Sequence, residues 1–228
     1  MIAPEETGAA MARLLLEGGA VQVSHGQPFI LAAGWASPAY VDCRILIGEP
    51  RLRRAATALA AAAIGRELGA APPQAIAGAE TAGIPWAAWL AEALDLPLRY
   101  VRKRPLGIGR NAQVEGGPVE GMHTLLVDDL MTDGGSKVAF TRGLRSAGAV
   151  VTHALCLFHH GTFPGGAERL EKLGLTLIPL ASWRDLLAVE GPSALSASDR
   201  AVLEKFLADP IAWSAAHGGR ATMLKPAL

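Results

Sequence analysis

The sequence predicts an α/β fold in which a parallel sheet is flanked by helices. The chain has 228 residues, half of them hydrophobic, which is enough for one well-buried domain. From residue 75 onwards, short apolar runs alternate with helical patterns. Two of the apolar runs lead into turns of small and polar residues, at 78–83 and 128–136. Such turns are typical of the edge where parallel strands pass into helices.

The individual elements follow in order along the chain. An apolar stripe predicts a helix over 4–18, and a second helix is predicted over 51–69. Between them, short extended runs at 20–23, 29–31 and 40–42 predict a small β-rich unit. The alternating part predicts strands at 75–79, 98–101, 124–127, 150–158 and 175–179, and helices at 85–94, 136–147, 167–173, 182–189 and 198–207. No repeat or linker pattern interrupts the sequence, so we expect a single domain over 1–228.

Composition excludes several classes of protein. The 21 basic and 21 acidic residues balance, so we expect no general attraction for nucleic acid or for an anionic membrane. The longest apolar helical run, 55–64, is too short to span a bilayer, and the first residues lack a secretory signal pattern. Cys43 and Cys156 have no partner pattern and are typical of buried thiols in a reducing cytoplasm.

The stretch 124–137 gives the strongest indication of function. An apolar run ends in two acids, Asp128 and Asp129, and a turn at 132–136 contains two glycines and two hydroxyl residues. Backbone N–H groups in such a turn, at the positive end of the next helix dipole, can bind phosphate. Paired carboxylates suit the vicinal hydroxyls of a ribose. The stretch therefore predicts a sugar-phosphate site, with an ordinary capped helix start as the alternative.

Two further loops are predicted at the same edge of the sheet. Small residues at 78–85 permit close approach of an anion to the backbone, although an ordinary strand-to-helix turn is equally compatible. The loop that begins at Arg102 and continues to about Gly117 has four cations in its first nine residues. A solvated surface is the usual explanation of such a cluster. Its place between two candidate phosphate loops favours a role in binding.

The stretch 124–137 resembles the signature of the type I phosphoribosyltransferases. In that family the two acids hold the ribose hydroxyls of phosphoribosyl pyrophosphate (PRPP), and the loop holds its 5′-phosphate. The segments 29–42, 78–85 and 100–110 resemble, in the same order, the hood, the pyrophosphate loop and the mobile loop of orotate phosphoribosyltransferases. The resemblance implies a type I phosphoribosyltransferase-like sheet with a small N-terminal hood at about 20–47.

The same resemblance implies an activity, a cofactor and partners. The reaction is the transfer of phosphoribose from PRPP to orotate, which gives orotidine 5′-monophosphate and pyrophosphate in pyrimidine (UMP) synthesis. Mg²⁺ is expected as the cofactor, bound through PRPP, with Asp128 and Asp129 as candidate ligands. A homodimer is expected, in which the mobile loop acts across the interface.

The resemblance also assigns roles to individual residues. The expected catalytic residues are Lys103, Asp128 and Asp129. The expected contacts to orotate are Tyr40, Val41, Thr132 and His160. The residues expected to contact PRPP are Thr81, Ala82, Arg102, Lys103, Asp128, Asp129, Leu130, Met131, Thr132, Asp133, Gly134, Gly135 and Ser136.

The chain departs from the family at several positions. Many members have lysines where this chain has Ala32 and Ala82. In the mobile loop, Leu106 replaces a lysine of the family and Ile108 replaces a frequent histidine. An arginine that contacts the base is replaced by His160, for which a satisfied histidine at a strand end is the alternative. Two other functions stay open: a phosphoribosyltransferase for another base, and a non-catalytic PRPP-binding regulator. The neutral charge and the lack of a helix-turn-helix pattern disfavour the regulator.

Leu106→Lys tests the departure in the mobile loop. A lysine there adds positive charge near the leaving pyrophosphate, so the turnover number should rise, by up to about 10²–10³-fold. Steady-state kinetics with PRPP, orotate and Mg²⁺ measure the effect, and Leu106→Met is the control that adds no charge. An unchanged turnover number would mean that another cation, such as Arg104 or Arg110, already fills the place.

Overall fold

The computed structural model describes residues 3–105 and 113–222. Its strands are β1 (Val21–Val23), β2 (Phe29–Ile30), β3 (Ala36–Ser37), β4 (Ala39–Val41), β5 (Ala75–Ala79), β6 (Leu98–Val101), β7 (Val114–Glu115), β8 (Thr124–Met131), β9 (His153–His159) and β10 (Thr176–Ser182). Its helices are α1 (Pro4–Glu17), α2 (Ile45–Gly48), α3 (Pro50–Leu68), α4 (Gly83–Leu94), α5 (Gly135–Ser146), α6 (Gly166–Leu173), α7 (Trp183–Leu187), α8 (Ala197–Ala208) and α9 (Pro210–Ala216).

Six strands form the central sheet, in the order β10-β9-β8-β5-β6-β7. The first five are parallel to one another, and β7 joins the edge antiparallel to β6. The predicted α/β fold with a parallel sheet is confirmed. The N-terminal unit consists of two short antiparallel pairs, β1 with β4 and β2 with β3, and residues 20–47 are called the hood below.

Both faces of the central sheet are covered by helices, which explains why its strands are apolar along most of their length. Alternate residues of a strand point to opposite faces. Thus Ile76 and Leu125 belong to the core that α1, α3 and α4 cover. Ala77 and Leu126, one residue further along, belong to the core that α5 and α6 cover. The layering follows directly from the two-sided apolar pattern of β5 and β8.

Strand β8 is longer than the sequence indicated. We predicted that it would end at Val127, but it continues through both acids to Met131. The reason is its neighbour, because Leu130 and Met131 pair with Phe158 and His159 of β9. The acids therefore lie within a hydrogen-bonded strand and not in the turn that follows it. The short elements α2, β3, β7 and α9 were not predicted either.

The C-terminal segment anchors the hood. Trp35 of the hood stacks on Phe163, with ring centroids 4.7 Å apart and planes 13° from parallel. On the hood side of this stack, the guanidinium of Arg220 lies 4.9 Å from the centre of a Trp35 ring. Ser214 Oγ accepts a hydrogen bond of 3.0 Å from the N–H of Ala36. No role for this segment could be predicted from the sequence, and the structure shows that it holds the hood from a distant part of the chain.

Two predictions from composition can be compared with the structure. Cys43 and Cys156 are both buried and unpaired, as predicted. Within 3–105 and 113–222, no helix combines the length and the apolarity that crossing a membrane requires.

Gly83 allows α4 to begin in close contact with β8. A Cβ atom at this position would lie 2.3 Å from the carbonyl oxygen of Val127 and 3.0 Å from Cα of Asp128. Both neighbours are backbone atoms of a central strand, so they cannot easily move away. Gly83→Ala should therefore lower the free energy of unfolding by about 1–3 kcal/mol, as overpacking of a core typically does.

Gly65→Ala in α3 is the matched control. No atom lies within 4 Å of its Cβ position, so the alanine should raise the free energy of unfolding by about 1 kcal/mol through its helix propensity. Chemical denaturation of both variants measures the difference. Equal stability of the two variants would contradict the close packing at Gly83.

Candidate active site

A cavity of about 470 Å³ opens at the carboxyl edge of the central sheet. It lies where the turns after β5, β6 and β8 come together, as expected for an α/β fold. We call it the loop cavity. Its lining includes Ala32, Glu80, Thr81, Ala82, Lys103, Asp128, Asp129, Leu130, Thr132, Asp133, Gly134, Gly135 and Ser136.

The turn at 132–136 has the geometry of an anion site. Gly134 has a φ of +75° and is the N-cap of α5, so the first N–H groups of a twelve-residue helix face the same edge. Asp133 Oδ1 accepts a hydrogen bond of 3.1 Å from the N–H of Gly135. Arg169 of α6 lies 3.1 Å from Asp133 Oδ2 and balances its charge. The turn is thus held in shape and carries little net negative charge.

Met131 supports this turn from below. Its side chain is almost fully buried, and a Cβ atom at Gly134 would lie 2.9 Å from Met131 Cε. Met131 does not line the loop cavity, whereas Leu130 does. Of these two residues, the structure brings Leu130 to the site and places Met131 beneath it.

The two acids of β8 have different surroundings. Asp128 is 7% exposed, and its Oδ2 forms an ion pair with Nζ of Lys137, the third residue of α5. Its Oδ1 accepts a hydrogen bond of 3.0 Å from the N–H of Asp129. Asp129 has no ion-pair partner among the described residues. Burial, and next the negative charge of Asp128, raise the pKa of Asp129 to about 7.

Lys103 and Arg102 end up in different places, although they are adjacent in the sequence. Lys103 lines the loop cavity, and its N–H donates a hydrogen bond of 2.9 Å to Glu80 Oε2. Arg102 is not among the lining residues. Its guanidinium lies 3.6 Å from Glu80 and 3.3 Å from Glu115, and it donates to Tyr100 Oη. Within the described part of the chain, Arg102 therefore balances acids of the protein itself.

A second cavity of about 560 Å³ lies under the hood, and we call it the hood cavity. Tyr40 and Val41, which the resemblance assigns to orotate, both line it. The hood cavity and the loop cavity are neighbours, since they share the residues Thr81, Ala82, Asp129 and Leu130.

Arg44 is a charged residue of the hood cavity that sequence reasoning missed. Its guanidinium contacts Asp42 at 2.6 and 2.9 Å and donates a hydrogen bond of 3.1 Å to Tyr40 Oη. The hydrogen bonds from Arg44 hold the pKa of Asp42 below its usual range. The signal that could have revealed this arrangement is a cation, Arg44, two residues after an acid, Asp42, directly behind the end of β4.

His160 lies apart from both cavities. It is 3% exposed and packs between Phe158 and Trp183, with ring centroids 5.3 and 5.2 Å away. Burial lowers the pKa of His160 to about 3, so the ring is neutral. It lines a separate cavity of about 350 Å³ with Thr162 and Leu207. His160 lines neither cavity with Tyr40, Val41 or Thr132, the other residues expected to contact the base, although its N–H donates a hydrogen bond of 2.9 Å to the carbonyl oxygen of Met131, next to Thr132.

Leu106, Ile108 and Arg110 lie outside the described residues. Ala32 and Ala82, which replace lysines of the family, both line the loop cavity.

Comparison with known proteins extends the resemblance to most of the chain. The family model described as phosphoribosyl transferase domain matches residues 47–173. An orotate phosphoribosyltransferase of Cereibacter sphaeroides (strain KD131) is 46% identical over 214 residues, which are 93% of this chain and 92% of that protein. An orotate phosphoribosyltransferase of Sinorhizobium medicae is 46% identical over 211 residues, which are 92% of this chain and 90% of that protein.

Solved structures show the same likeness. The orotate phosphoribosyltransferase of Aeropyrum pernix superposes with a TM-score of 0.66 at 33% identity and covers 86% of this chain and 98% of its own. The UMP synthase of Leishmania donovani superposes with a TM-score of 0.73 at 26% identity and covers 88% of this chain and 42% of its own. Together with the glycine-rich turn after two acids at the carboxyl edge, these matches mean that the chain belongs to the phosphoribosyl transferase family.

Proposed function

We propose that the chain transfers phosphoribose from PRPP to orotate. The observation that carries the proposal is the loop cavity, in which an anion-binding turn, an unpaired carboxylate and a lysine face one space. The names of the relatives, which match more than nine-tenths of the chain, support orotate as the acceptor. The reaction makes orotidine 5′-monophosphate for pyrimidine synthesis and releases pyrophosphate.

The geometry supports a definite arrangement of PRPP. The 5′-phosphate would bind the turn at 132–136, where the N–H groups at the start of α5 are available. The ribose hydroxyls would then reach the carboxylates of β8. The pyrophosphate would lie against the backbone of Thr81 and Ala82, beside Lys103, because these residues line the same cavity. Orotate would occupy the hood cavity next to Tyr40 and Val41, which adjoins the loop cavity.

The chemistry needs little from the protein beyond positioning and charge. The bond between the anomeric carbon and pyrophosphate breaks, and a bond to a ring nitrogen of orotate forms. In the transition state, as the first bond breaks, positive charge develops on the ribose ring and negative charge on the leaving pyrophosphate. Lys103 neutralises the leaving group, and the two cavities hold the reactants next to each other. No nucleophilic side chain is required.

Mg²⁺ is the proposed cofactor. The described residues contain no cluster of three or more histidine, cysteine or acidic side chains that could hold a metal ion by itself. Protein Mg²⁺ sites typically use one or two carboxylates together with substrate phosphates and water. Asp129 fits that pattern, whereas both oxygens of Asp128 already have protein partners. When bound, the ion would neutralise charge on the pyrophosphate.

Two further proposals concern the setting of the enzyme. A homodimer, with the mobile loop reaching the site of the partner, follows from the family resemblance. A cytoplasmic location is supported by the two buried, unpaired thiols, Cys43 and Cys156, which are stable as thiols in a reducing compartment.

An assay of orotate consumption with PRPP and Mg²⁺ tests the function. We expect orotate to disappear and pyrophosphate to form in equal amounts, with no turnover of adenine, guanine, hypoxanthine or uracil in the same panel. If the protein turned over a purine and not orotate, the proposed acceptor would be wrong. Binding of PRPP by calorimetry without turnover of any base would indicate a regulator.

Asp129→Asn tests the assignment of the ribose contact. Loss of the charged acceptor should lower kcat/KM by about 10²-fold or more. The stability of the variant, in contrast, should be higher than that of wild type. Because the folded state raises the pKa of Asp129 to about 7, wild-type stability falls as the pH rises from about 4 to 7. Because asparagine does not ionise, the variant should not lose this stability as the pH rises.

The gain in thermal midpoint of Asp129→Asn over wild type should therefore be larger at pH 8 than at pH 5. Melting curves at the two pH values measure it. Glu171→Gln, which removes an exposed carboxylate of α6, is the control and should leave both activity and the pH trend unchanged. A variant that keeps wild-type kcat/KM would show that the ribose contact is assigned to the wrong residue.

A further inference from the structure

The hairpin of β2 and β3 forms one wall of the loop cavity. The turn that joins the two strands contributes Ala32 and Ala33, and of the described lining residues only these two belong to the hood. The others lie on β8, on α5 or in the turns at the edge of the sheet. Neither alanine has a polar side chain. The hairpin therefore encloses the cavity, and the sheet edge supplies the side chains that can bind phosphate.

Three residues from a distant part of the chain hold this hairpin, and we call Ser214, Gly219 and Arg220 the clasp. Ser214 is completely buried, and its Oγ accepts a hydrogen bond of 3.0 Å from the N–H of Ala36 and donates one of 2.8 Å to the carbonyl oxygen of Arg220. A Cβ atom at Gly219 would lie 2.3 Å from the nitrogen of Ala36 and 2.5 Å from Ser214 Oγ. The clasp thus lies directly on β3, with no room for another side chain between them.

Arg220 makes the contacts with the turn of the hairpin. Its backbone N–H donates a hydrogen bond of 3.0 Å to the carbonyl oxygen of Gly34, and its Nη1 donates one of 2.7 Å to the carbonyl oxygen of Ala33. Its guanidinium lies 4.9 Å from the centre of a Trp35 ring, at a distance that allows a cation–π interaction. Arg220 therefore contacts three successive residues, of which Ala33 lines the loop cavity.

The clasp also reaches the hood cavity, through a buried apolar cluster. Trp35 belongs to this cluster together with Leu31, Phe163 and Phe206, and Tyr40 packs against it. Tyr40 lines the hood cavity, where orotate is proposed to bind. In the proposed arrangement the anomeric carbon and the ring nitrogen of orotate meet where the two cavities adjoin. A displaced hairpin would change a wall of both cavities and so misalign the reacting atoms.

We propose that the clasp, and Arg220 above all, positions the β2–β3 hairpin for phosphoribosyl transfer. Arg220 lines neither cavity and acts through Ala33 and Trp35, so it is a positioning residue. This inference rests on the proposed function, because it takes PRPP and orotate as the ligands of the two cavities. It gives the C-terminal segment a part in the reaction, beyond its part in holding the fold.

Arg220→Met tests the proposal by removing the guanidinium. The hairpin should then occupy its productive position for only a fraction of the time, and kcat/KM for orotate should fall by that fraction, about 10–100-fold. The affinity for PRPP should stay within about threefold of wild type, because the groups proposed to bind its phosphates lie on the sheet edge. Steady-state kinetics with Mg²⁺ measure the first constant, and calorimetry with PRPP and Mg²⁺ measures the second.

Two further variants separate positioning from a loss of stability. Gly219→Ala pushes the clasp away from Ala36 and leaves Arg220 intact, so it should give the same separation of the two constants. Arg220→Lys keeps a cation near Trp35 and a donor for the Ala33 carbonyl, and should restore kcat/KM to within about threefold of wild type. A residue that merely stabilised the fold would lower the thermal midpoint without separating the two constants.

Each substitution has a matched control. Arg13→Met removes an exposed arginine of α1, and Gly65→Ala adds a methyl group where no atom lies within 4 Å. Neither control should change kcat/KM for orotate or the affinity for PRPP. All kinetic measurements are made well below the thermal midpoints of the variants, so that the folded fraction is the same.

Hydrogen exchange follows the hairpin without any substrate. Peptides that cover residues 29–37 should exchange faster in Arg220→Met and Gly219→Ala than in wild type, whereas peptides that cover 124–131 should not change. Unchanged exchange at 29–37 would show that the clasp does not hold the hairpin.

Two kinetic outcomes would also overturn the proposal. If 29–37 exchanged faster while kcat/KM for orotate stayed at the wild-type value, the position of the hairpin would have no influence on the reaction. If the affinity for PRPP fell by the same factor as kcat/KM, the variants would have disturbed the sheet edge and not the hairpin alone. Wild-type protein that does not turn over orotate would instead remove the proposed function, and the inference with it.

Discussion

The parallel pairing of β8 between β5 and β9 is the constraint on which the rest of the structure depends. Parallel strands end at the same edge, so the turns after β5 and β8 must lie side by side. Gly83 removes the side chain that would separate them. The pairing with β9 also keeps β8 straight through Asp128 and Asp129, which fixes the directions of the two carboxylates. The site is therefore a product of the sheet register and not of the loops alone.

Acidic side chains near a site for a polyanion would repel the ligand, and in this chain neighbouring cationic side chains compensate their charge. The turns at the edge need polar residues to hold their shape, and several of these are acids. Each such acid is neutralised by a cation of the protein, so the backbone N–H groups and Lys103 determine the charge that a phosphate meets. Asp129, the one acid of the two cavities without an ion-pair partner among the described residues, stands where a neutral polyol and not a phosphate is expected. Burial, and next the negative charge of Asp128, raise its pKa.

Sequence reasoning succeeded where the signal was local. Apolar periodicity located the five parallel strands of the sheet and most helices, and the glycine-rich turn located the loop cavity, because both patterns are set by neighbouring residues. It failed where the contact partner of a residue is distant in the sequence, or where the role of a residue depends on the direction of its side chain. Asp128 and Lys137 are nine positions apart, and their contact forms only because β8 is extended and α5 begins directly after the turn. His160 illustrates the same limit, since its burial depends on packing against Trp183 of α7, which is distant in the sequence.

The anchoring of the hood by the C-terminal segment has a consequence for the order in which the molecule assembles. Trp35 and its neighbour Ala36 are made early in synthesis. The residues that hold them in place follow much later, namely Phe163, Ser214 and Arg220. The strands that carry the anion-binding turn are complete before the last of these anchors leaves the ribosome, so the sheet can form while the hood is still free. A nascent chain would thus form the central sheet and its anion-binding turn first. The hood would close only after residues 214–220 have been made.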